Sequence, residues 1–512
     1  MKESIPPILR PEHVAPVSFA ALVANFQLEF AHAGEAELFG ISMNTADLRP
    51  GDLFVAMPGL KTHGAAFAQR AIEAGALAIV TDASGFELVE SREVPIALLE
   101  EPRKHLGQLA AAVYGNSAEV MPTTFATTGT NGKTSTSYLL EGILRQLGQV
   151  TGLTSTAERH IAGEVIVSRL TTPESTEMHA LIARMREKKV DSIAIEVSAQ
   201  ALTQLRVDGL IFDVAGFTNL SHDHLDDYGN MQTYFEAKAR LFTSAHAKRG
   251  VICLDSQFGQ QMLEAAQIPV STISSIDSVQ SDWKVSVTSE LPSKTEFKVQ
   301  APSGDVLESH IPIIGAHMAH NAALAIAMLV ESGISFTEIA RAIESGINAY
   351  LPGRTERVTE ESGPDVFVDF GHSPDAFLNT LAAVRKVTKG KVIMVFGADG
   401  DRDATKRPDM ARVSAEGCDL LVITDHHPRF EDPASIRAAL VESAKQARPD
   451  LQIFEVSPPE AAIRKAVSLA QPGDSILWAG PGHQDYRDIR GVRTPYSARQ
   501  EARAALAEAG WK

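Results

Sequence analysis

Residues 127–136 read TTGTNGKTST, in which a strand-like TTFATTG enters a turn with two glycines and a lysine and a hydroxyl open the helical run KTSTSYLLEGILRQLG. Backbone N–H groups of such a turn point into its hollow and, with the helix N-terminus, favour a polyphosphate. Lys133 is expected at the β- and γ-phosphates of a nucleotide and Thr134 at a Mg²⁺ ion, with Thr128, Gly129, Thr130, Asn131, Gly132 and Ser135 around the phosphates. The usual GxxxxGK[ST] spacing is not met, because Thr127 stands where the first glycine belongs. A bare GK[ST] turn is common by chance; the strand before it and the helix after it are what favour a nucleotide.

Further along, SIAIEV ends in Glu196 and Val197, TNLSHDHLDDYG holds Asn219, Asp223 and His224, and YFEAKARLF carries Lys238. Taken singly these have plain readings. The HDH triplet fits a surface loop or half of a zinc site, and a lysine between Glu236 and Arg240 fits a solvated helix face. Their order along the chain is more telling. Together with GTNGKT they resemble the Mur ligase and folylpolyglutamate synthetase superfamily. That resemblance implies that Glu196 is the carboxylate bridging two Mg²⁺ ions, with His224 and a carbamylated Lys238 completing the metal set. A hard dication takes carboxylate and carbamate oxygens readily, whereas an unmodified ammonium would repel it.

The same resemblance reaches the rest of the chain. In GAHMAHNAALA, Asn321 matches a residue contacting adenine; in LPGRTERV, Arg354 matches one that reaches the ATP phosphates; VDFGHSPDAF supplies Asp369 for the nucleotide, with His372 nearby. Lys133, Glu196, His224, Lys238 and Arg354 are thus the expected catalytic set. ISMNTADLRPGDLFVAMPGLKTHG resembles the uridine-diphosphate entry of the ligases acting at the third step, although Asn44, Thr45 and Ala46 replace the usual DSR, keeping the hydroxyl of Thr45 and losing the arginine. Thr171 and Thr172 of TTPES, with Ser198, Gln204 and Arg206, match contacts to a UDP-muramoyl dipeptide, and Gln200 replaces the usual histidine of EVSSHAL.

Three segments of the last third bear on the incoming amino acid. GADGDRDATKRP at 397–408 resembles the family's GCGGDRDxxKRP loop and places Arg402 near that ligand. DHHPRFEDP at 425–433 stands where diaminopimelate-adding members have DNPR, so Arg429 is kept and His427 replaces Asn; GPGHQDY stands for GKGHEDY, so Gly480 opens the segment and Gln484 replaces a carboxylate. The replacements pull in opposite directions. Arg429 suits a distal carboxylate, through a charge-assisted pair of about 1.5–3 kcal/mol, while losing the Glu removes an anion for the distal ammonium. Diaminopimelate is preferred, with lysine, ornithine or diaminobutyrate left open.

The elements that must position these residues form an α/β protein. At 512 residues the chain is too long for one core. Residues 1–121 read as a small α/β unit for the UDP substrate, with DLFVAM and LAIVTD as strands and AAFAQRAIEAGA as an amphipathic helix. Residues 122–351 read as the central ATP-binding unit, a parallel sheet with a P-loop, carrying a period-two stretch over 268–312 that predicts antiparallel strands. After LPGR, residues 352–512 read as a Rossmann-like unit: VFVDF, KVIMVFGA, DLLVITD and DSILWAG each precede a helical pattern, which puts polar loops at the carboxyl ends of a parallel sheet.

Composition bounds the alternatives. A formal charge of −17 disfavours nucleic acid and anionic lipid as partners. No run approaches the roughly 20 apolar residues of a membrane helix, and the early acid and three prolines of MKESIPPILRPEHV do not make a secretory signal, so a cytoplasmic and monomeric protein is expected. Cys253 and Cys418 sit in apolar surroundings and read as packing residues. The function implied by the resemblance is an ATP-dependent ligase that joins a diamino acid to UDP-N-acetylmuramoyl-L-alanyl-D-glutamate through an acyl phosphate, in peptidoglycan synthesis. A folylpolyglutamate synthetase lacks a reason for TTPES, DRDxxKRP and HHPR, and a nucleotide-binding module without ligase activity would not need Lys238, His224 and Arg354 together.

Overall fold

The computed structural model describes residues 8–59 and 61–511. Three large sheets follow one another along the chain, beside two two-stranded pairings, Val17–Ser18 with Glu37–Leu38 and Tyr486–Ile489 with Val492–Pro495. The first has five strands between Glu29 and Leu98; its four later strands, Gly40–Ser42, Asp52–Val55, Ala78–Thr81 and Ile96–Leu98, run parallel, and Glu29–His32 pairs antiparallel at the edge. Asp52–Val55 and Ala78–Thr81 are buried throughout, as continuous apolar runs in a covered parallel sheet should be.

Eleven strands make the central sheet. Its parallel heart places Thr123–Thr128 between Ser192–Glu196 and Phe212–Phe217, so the phosphate-loop turn, the end holding Glu196 and the segment after Phe217 open on the same edge. That is the carboxyl edge, where ligands bind in open α/β sheets. The helix Lys133–Gln146 covers one face together with Ala316–Glu331, whose alanines permit close approach over Leu139, Leu140 and Ile143. The period-two stretch forms Trp283–Leu291, Lys294–Gln300 and Val306–Ile311, an antiparallel extension of the sheet joined through Val270–Ser274. On the opposite edge lies a hairpin that the sequence pattern does not announce, Glu158–Ile161 and Glu164–Val167.

The last sheet has six strands. Asp365–Asp369, Ser475–Ala479, Val392–Phe396, Leu420–Ile423 and Gln452–Glu455 are parallel in that spatial order, and the short Glu356–Arg357 pairs antiparallel outside them. Cys253 ends the strand Ala247–Cys253 and Cys418 follows the helix Arg407–Gly417; both thiols are free. None of the helices among the described residues is long and apolar enough to cross a membrane.

Candidate active site

The phosphate loop depends on two glycines. Gly129 has φ +150°, and a Cβ on it would stand 1.9 Å from Thr218 Oγ1; Gly132 has φ +87°, and a Cβ there would stand 2.6 Å from Asn321 Oδ1. Only glycine accepts both the conformation and the proximity. The loop is held to the neighbouring strand's exit: Thr130 N donates to Asn219 O at 2.9 Å, Asn131 N donates to Asn219 Oδ1 at 3.0 Å, and Thr128 O accepts from Thr218 N at 3.0 Å. Ser135 is buried in the first turn of the helix.

Around this loop the expected residues converge. Thr134 Oγ1 donates to Glu196 Oε2 at 2.9 Å and accepts from Arg354 Nη2 at 3.0 Å. Glu196, almost fully buried, also accepts from the N–H of Thr156 at 2.8 Å and from its hydroxyl at 3.0 Å. Thr156 is a neighbour the sequence reading missed. Arg354 lies over the Phe370 ring at 4.5 Å. Asp369 is buried and occupied: it accepts from Thr355 N at 2.8 Å and from Gly371 N at 2.6 Å, so it fixes the turn that presents Arg354. His224 has φ +55° and stands just before the short helix Leu225–Tyr228, with Nε2 3.7 Å from Asp223. Burial, with Lys133, Lys238 and Lys406 nearby, holds its imidazole below the usual range against the pull of Asp223. A neutral imidazole is the form that binds a metal.

Two lysines meet at one oxygen. Lys133 Nζ donates to Gly129 O at 3.1 Å and to Thr130 O at 2.9 Å, and Lys238 Nζ, on the helix Met231–Ala239, donates to the same Gly129 O at 2.8 Å. Lys238 is 1% exposed, with the Tyr234 ring 4.4 Å away. Burial and the charge of Lys133 outweigh Asp223 and Glu196 and hold the Lys238 amine far below the ordinary lysine range. The solvated helix face is therefore not what this lysine occupies. A buried, uncharged amine is the nucleophilic form that adds to carbon dioxide. The Thr134 hydroxyl, the Glu196 carboxylate and the His224 imidazole are donors that fit Mg²⁺, and a carbamate on Lys238 would add one more anionic oxygen to them.

The segments predicted for the dipeptide lie beside Glu196. Thr172 Oγ1 donates to Glu196 O at 2.8 Å and accepts from Ser198 N at 3.1 Å; Thr171 Oγ1 is 3.0 Å from Thr156 Oγ1; and Ser198 caps the helix Ala199–Thr203. Arg206 Nε is 2.8 Å from Glu174, and its Nη2 donates to Gln204 Oε1 at 2.6 Å. Glu174 also takes Arg103 at 2.7 Å, tying the first sheet's helix Pro102–Val113 to the central unit. Thr45 lies half-buried in the turn after Gly40–Ser42, and Asp47 of that turn reaches Arg169 at 3.0 Å.

Across the junction, the last unit closes on the loop. Lys406 Nζ bonds buried Asp223 Oδ1 at 2.9 Å, His372 Nε2 is 3.8 Å from Asp223, and Asn131 Nδ2 donates to Asp375 Oδ2 at 3.0 Å. Although burial opposes ionisation, the facing His372, Lys406 and His224 hold the Asp223 carboxyl well below the usual range. A narrow cavity beyond Lys406 is lined by Asp399, Arg402, His426 and Gly480. Arg402 is exposed at its mouth. Arg429, at φ +49°, donates to Gly400 O at 3.0 Å. His427 is fully engaged: Nδ1 accepts from Asp488 N at 3.0 Å, Nε2 bonds Gln484 Oε1 at 2.8 Å, and its ring stacks on Tyr486. It therefore stands behind His426, which lines the cavity, and not in the lining itself.

Family models fit the three parts of the chain: the Mur ligase family catalytic domain at 37–114, the Mur ligase middle domain at 127–329 and the Mur ligase glutamate ligase domain at 353–482. A UDP-N-acetylmuramyl-tripeptide synthetase of Leifsonia xyli subsp. xyli is 53% identical over 509 residues, 99% of each chain. The chain belongs to the Mur ligase family. A UDP-N-acetylmuramoyl-L-alanyl-D-glutamate--2,6-diaminopimelate ligase of Streptomyces coelicolor is 39% identical over 97% of this Mur ligase and 98% of its own length. Among solved structures, one of an enzyme with that same diaminopimelate ligase name covers 97% of the chain with a TM-score of 0.67 at 26% identity. A MurF from Acinetobacter baumannii matches with a TM-score of 0.68 at 18% identity, a likeness of fold. A folylpolyglutamate synthase of Mycobacterium tuberculosis covers 74% of the chain at 20% identity, and is the more distant relative.

Proposed function

We propose that this Mur ligase uses ATP to join UDP-N-acetylmuramoyl-L-alanyl-D-glutamate to a diamino acid, as a cytoplasmic monomer, with residues 1–121, 122–351 and 352–512 as its three working units. The observation that carries the reading is the convergence of Lys133 and Lys238 on Gly129 O beside Glu196, with Arg354 arriving from the last unit.

In this reading the free carboxylate of the D-Glu attacks the γ-phosphate and ADP leaves, giving an acyl phosphate; the amine of the diamino acid, having lost a proton, then attacks the acyl carbon and expels inorganic phosphate, and the resulting amide nitrogen gives up a further proton. Thr134, Glu196, His224 and carbamylated Lys238 would hold Mg²⁺, which when bound would supply positive charge against the transferring phosphoryl oxygens. Lys133 leaves its loop carbonyls for the β- and γ-phosphates, and Arg354, steadied by Phe370 and by the turn that Asp369 fixes, adds charge on the other side. Preorganised charge of this kind is the main assistance a protein gives to phosphoryl transfer. Asn321, packed against Gly132, borders the adenine; Thr171, Thr172, Ser198, Gln204 and Arg206 hold the dipeptide, and Thr45 the uridine end. Arg402, Arg429, Gly480, His427 and Gln484 frame the amino acid. Closure of the last unit, supported by the Lys406–Asp223 contact, would keep water from the acyl phosphate.

The test is phosphate release from ATP with the UDP-muramoyl dipeptide and, in turn, diaminopimelate, lysine, ornithine and diaminobutyrate. Release that depends on one of these amines supports the reading. ATP binding with no release for any of them would leave a nucleotide-binding module instead.

A further inference from the structure

Among the described residues lining the cavity beyond Lys406, Asp403 Oδ2, Arg407 Nε and His426 Nε2 are buried without a hydrogen-bond partner, and only the last belongs to an imidazole. His426 is about nine-tenths buried, and its Nδ1 lies 2.9 Å from Asp399 Oδ1. Its Nε2 is buried without a hydrogen-bond partner. A Cβ on Gly480 would stand 3.2 Å from that nitrogen, so the free edge of the ring faces the backbone that opens the GPGHQDY segment. The neighbouring His427, the histidine singled out from the sequence, has both nitrogens engaged.

The Asp399–His426 contact fixes a tautomer. Although burial opposes ionisation of Asp399, the facing His426, its hydrogen bond, His427 and Arg429 hold the carboxyl well below the usual range. An ionised carboxylate only accepts, so His426 Nδ1 carries the proton and donates it. With the proton on Nδ1, Nε2 is a buried lone pair beside Gly480 on the cavity wall, backed by a negative charge. A buried acceptor of this kind wants an N–H donor, and leaving it unmet is costly.

We propose that the Asp399–His426 pair receives the amino group of the diamino acid that lies remote from the bond being made. The ammonium donates to His426 Nε2 while Asp399 supplies the balancing charge, a role the neutral Gln484 cannot fill. Arg429, 3.7 Å from Asp399, offers its remaining donors to a carboxylate when the acid has one at that end. The assignment rests on the diamino-acid ligase reading and names the group that makes the substrate a diamino acid instead of a monoamino one.

The experiment compares matched acids that differ only in the distal amine, lysine against 2-aminohexanoate and diaminopimelate against 2-aminopimelate, in wild type, Asp399→Asn and His426→Gln. In each variant the KM for the preferred diamino acid should rise about tenfold to a hundredfold, as expected for one lost charge-assisted hydrogen bond. The preference over the matched monoamino acid should shrink by the same factor, with KM for ATP unchanged. Asp399→Asn is nearly isosteric, so it tests the pair even if His426→Gln folds poorly. An unchanged preference ratio in soluble Asp399→Asn overturns the assignment. Phosphate release by wild type with no diamino acid at all would instead count against the ligase reading.

Discussion

The Lys406–Asp223 pair lends itself to a quantitative test of closure. Both side chains are nearly buried, with relative exposures of 11% and 7%, and they come from units 183 residues apart in sequence. Replacing Lys406 by Met keeps the aliphatic stem and removes the charge, leaving the Asp223 carboxylate with the His224 backbone N–H at 3.0 Å and the imidazoles of His372 and His224 at 3.8 and 3.7 Å. Removing one partner of a buried ion pair costs about 3–5 kcal/mol, and these remaining contacts place this case at about 3. At about 1.4 kcal/mol per decade, the closed state should lose about a hundredfold in population. Because closure presents Arg354 to Thr134, phosphate release at fixed substrate should fall by a similar factor, while the melting temperature of the central unit should scarcely move. In the double variant Lys406→Met, Asp223→Asn, the stranded charge is gone and part of the loss should return. A Lys406→Met enzyme within twofold of wild type would refute the claim that this contact governs closure.

Other outcomes follow from the same geometry. Lys238→Ala should abolish turnover with ATP binding retained, and wild-type activity should depend on dissolved bicarbonate after carbon dioxide is stripped; steady-state phosphate release checks both. Gly132→Ala forces a side chain to φ +87° and against Asn321, a strain of about 1–2 kcal/mol before the contact is counted, so calorimetry should find ATP binding weakened at least tenfold. For His160, burial opposes the charge, but hydrogen bonds to Glu141 and Glu158 outweigh it and push the imidazole up to about 9. The resulting stabilisation, on the order of 3 kcal/mol, is fully present below the unfolded value near 6.5 and is lost as pH rises through about 9. Thermal melts between those limits should therefore fall more steeply in wild type than in His160→Gln.

Local signals were the ones that survived translation into three dimensions. Gly129, Gly132 and Lys133 lie within five residues, so spacing alone described their loop. The period-two stretch likewise became three paired strands because alternation is a property of each strand by itself. What depends on docking was hidden. Nothing in HDHLDD or ATKRP says that Asp223 and Lys406 touch, and two adjacent histidines, His426 and His427, look alike until the neighbouring loops decide which has a spare nitrogen. The sequence places Asp369 at the nucleotide; that its oxygens also accept from backbone amides is visible only once the strand Asp365–Asp369 has its turn.

The two cysteines lend the molecule a practical property. Burial, helped by adjacent Asp255, pushes the Cys253 thiol up to about 12, and burial does the same at Cys418. Only the thiolate reacts at a useful rate, so alkylating reagents at neutral pH should label the native chain extremely slowly. Labelling then becomes a clock for unfolding: each sulfur reports when its own sheet comes apart, Cys253 for the central one and Cys418 for the last.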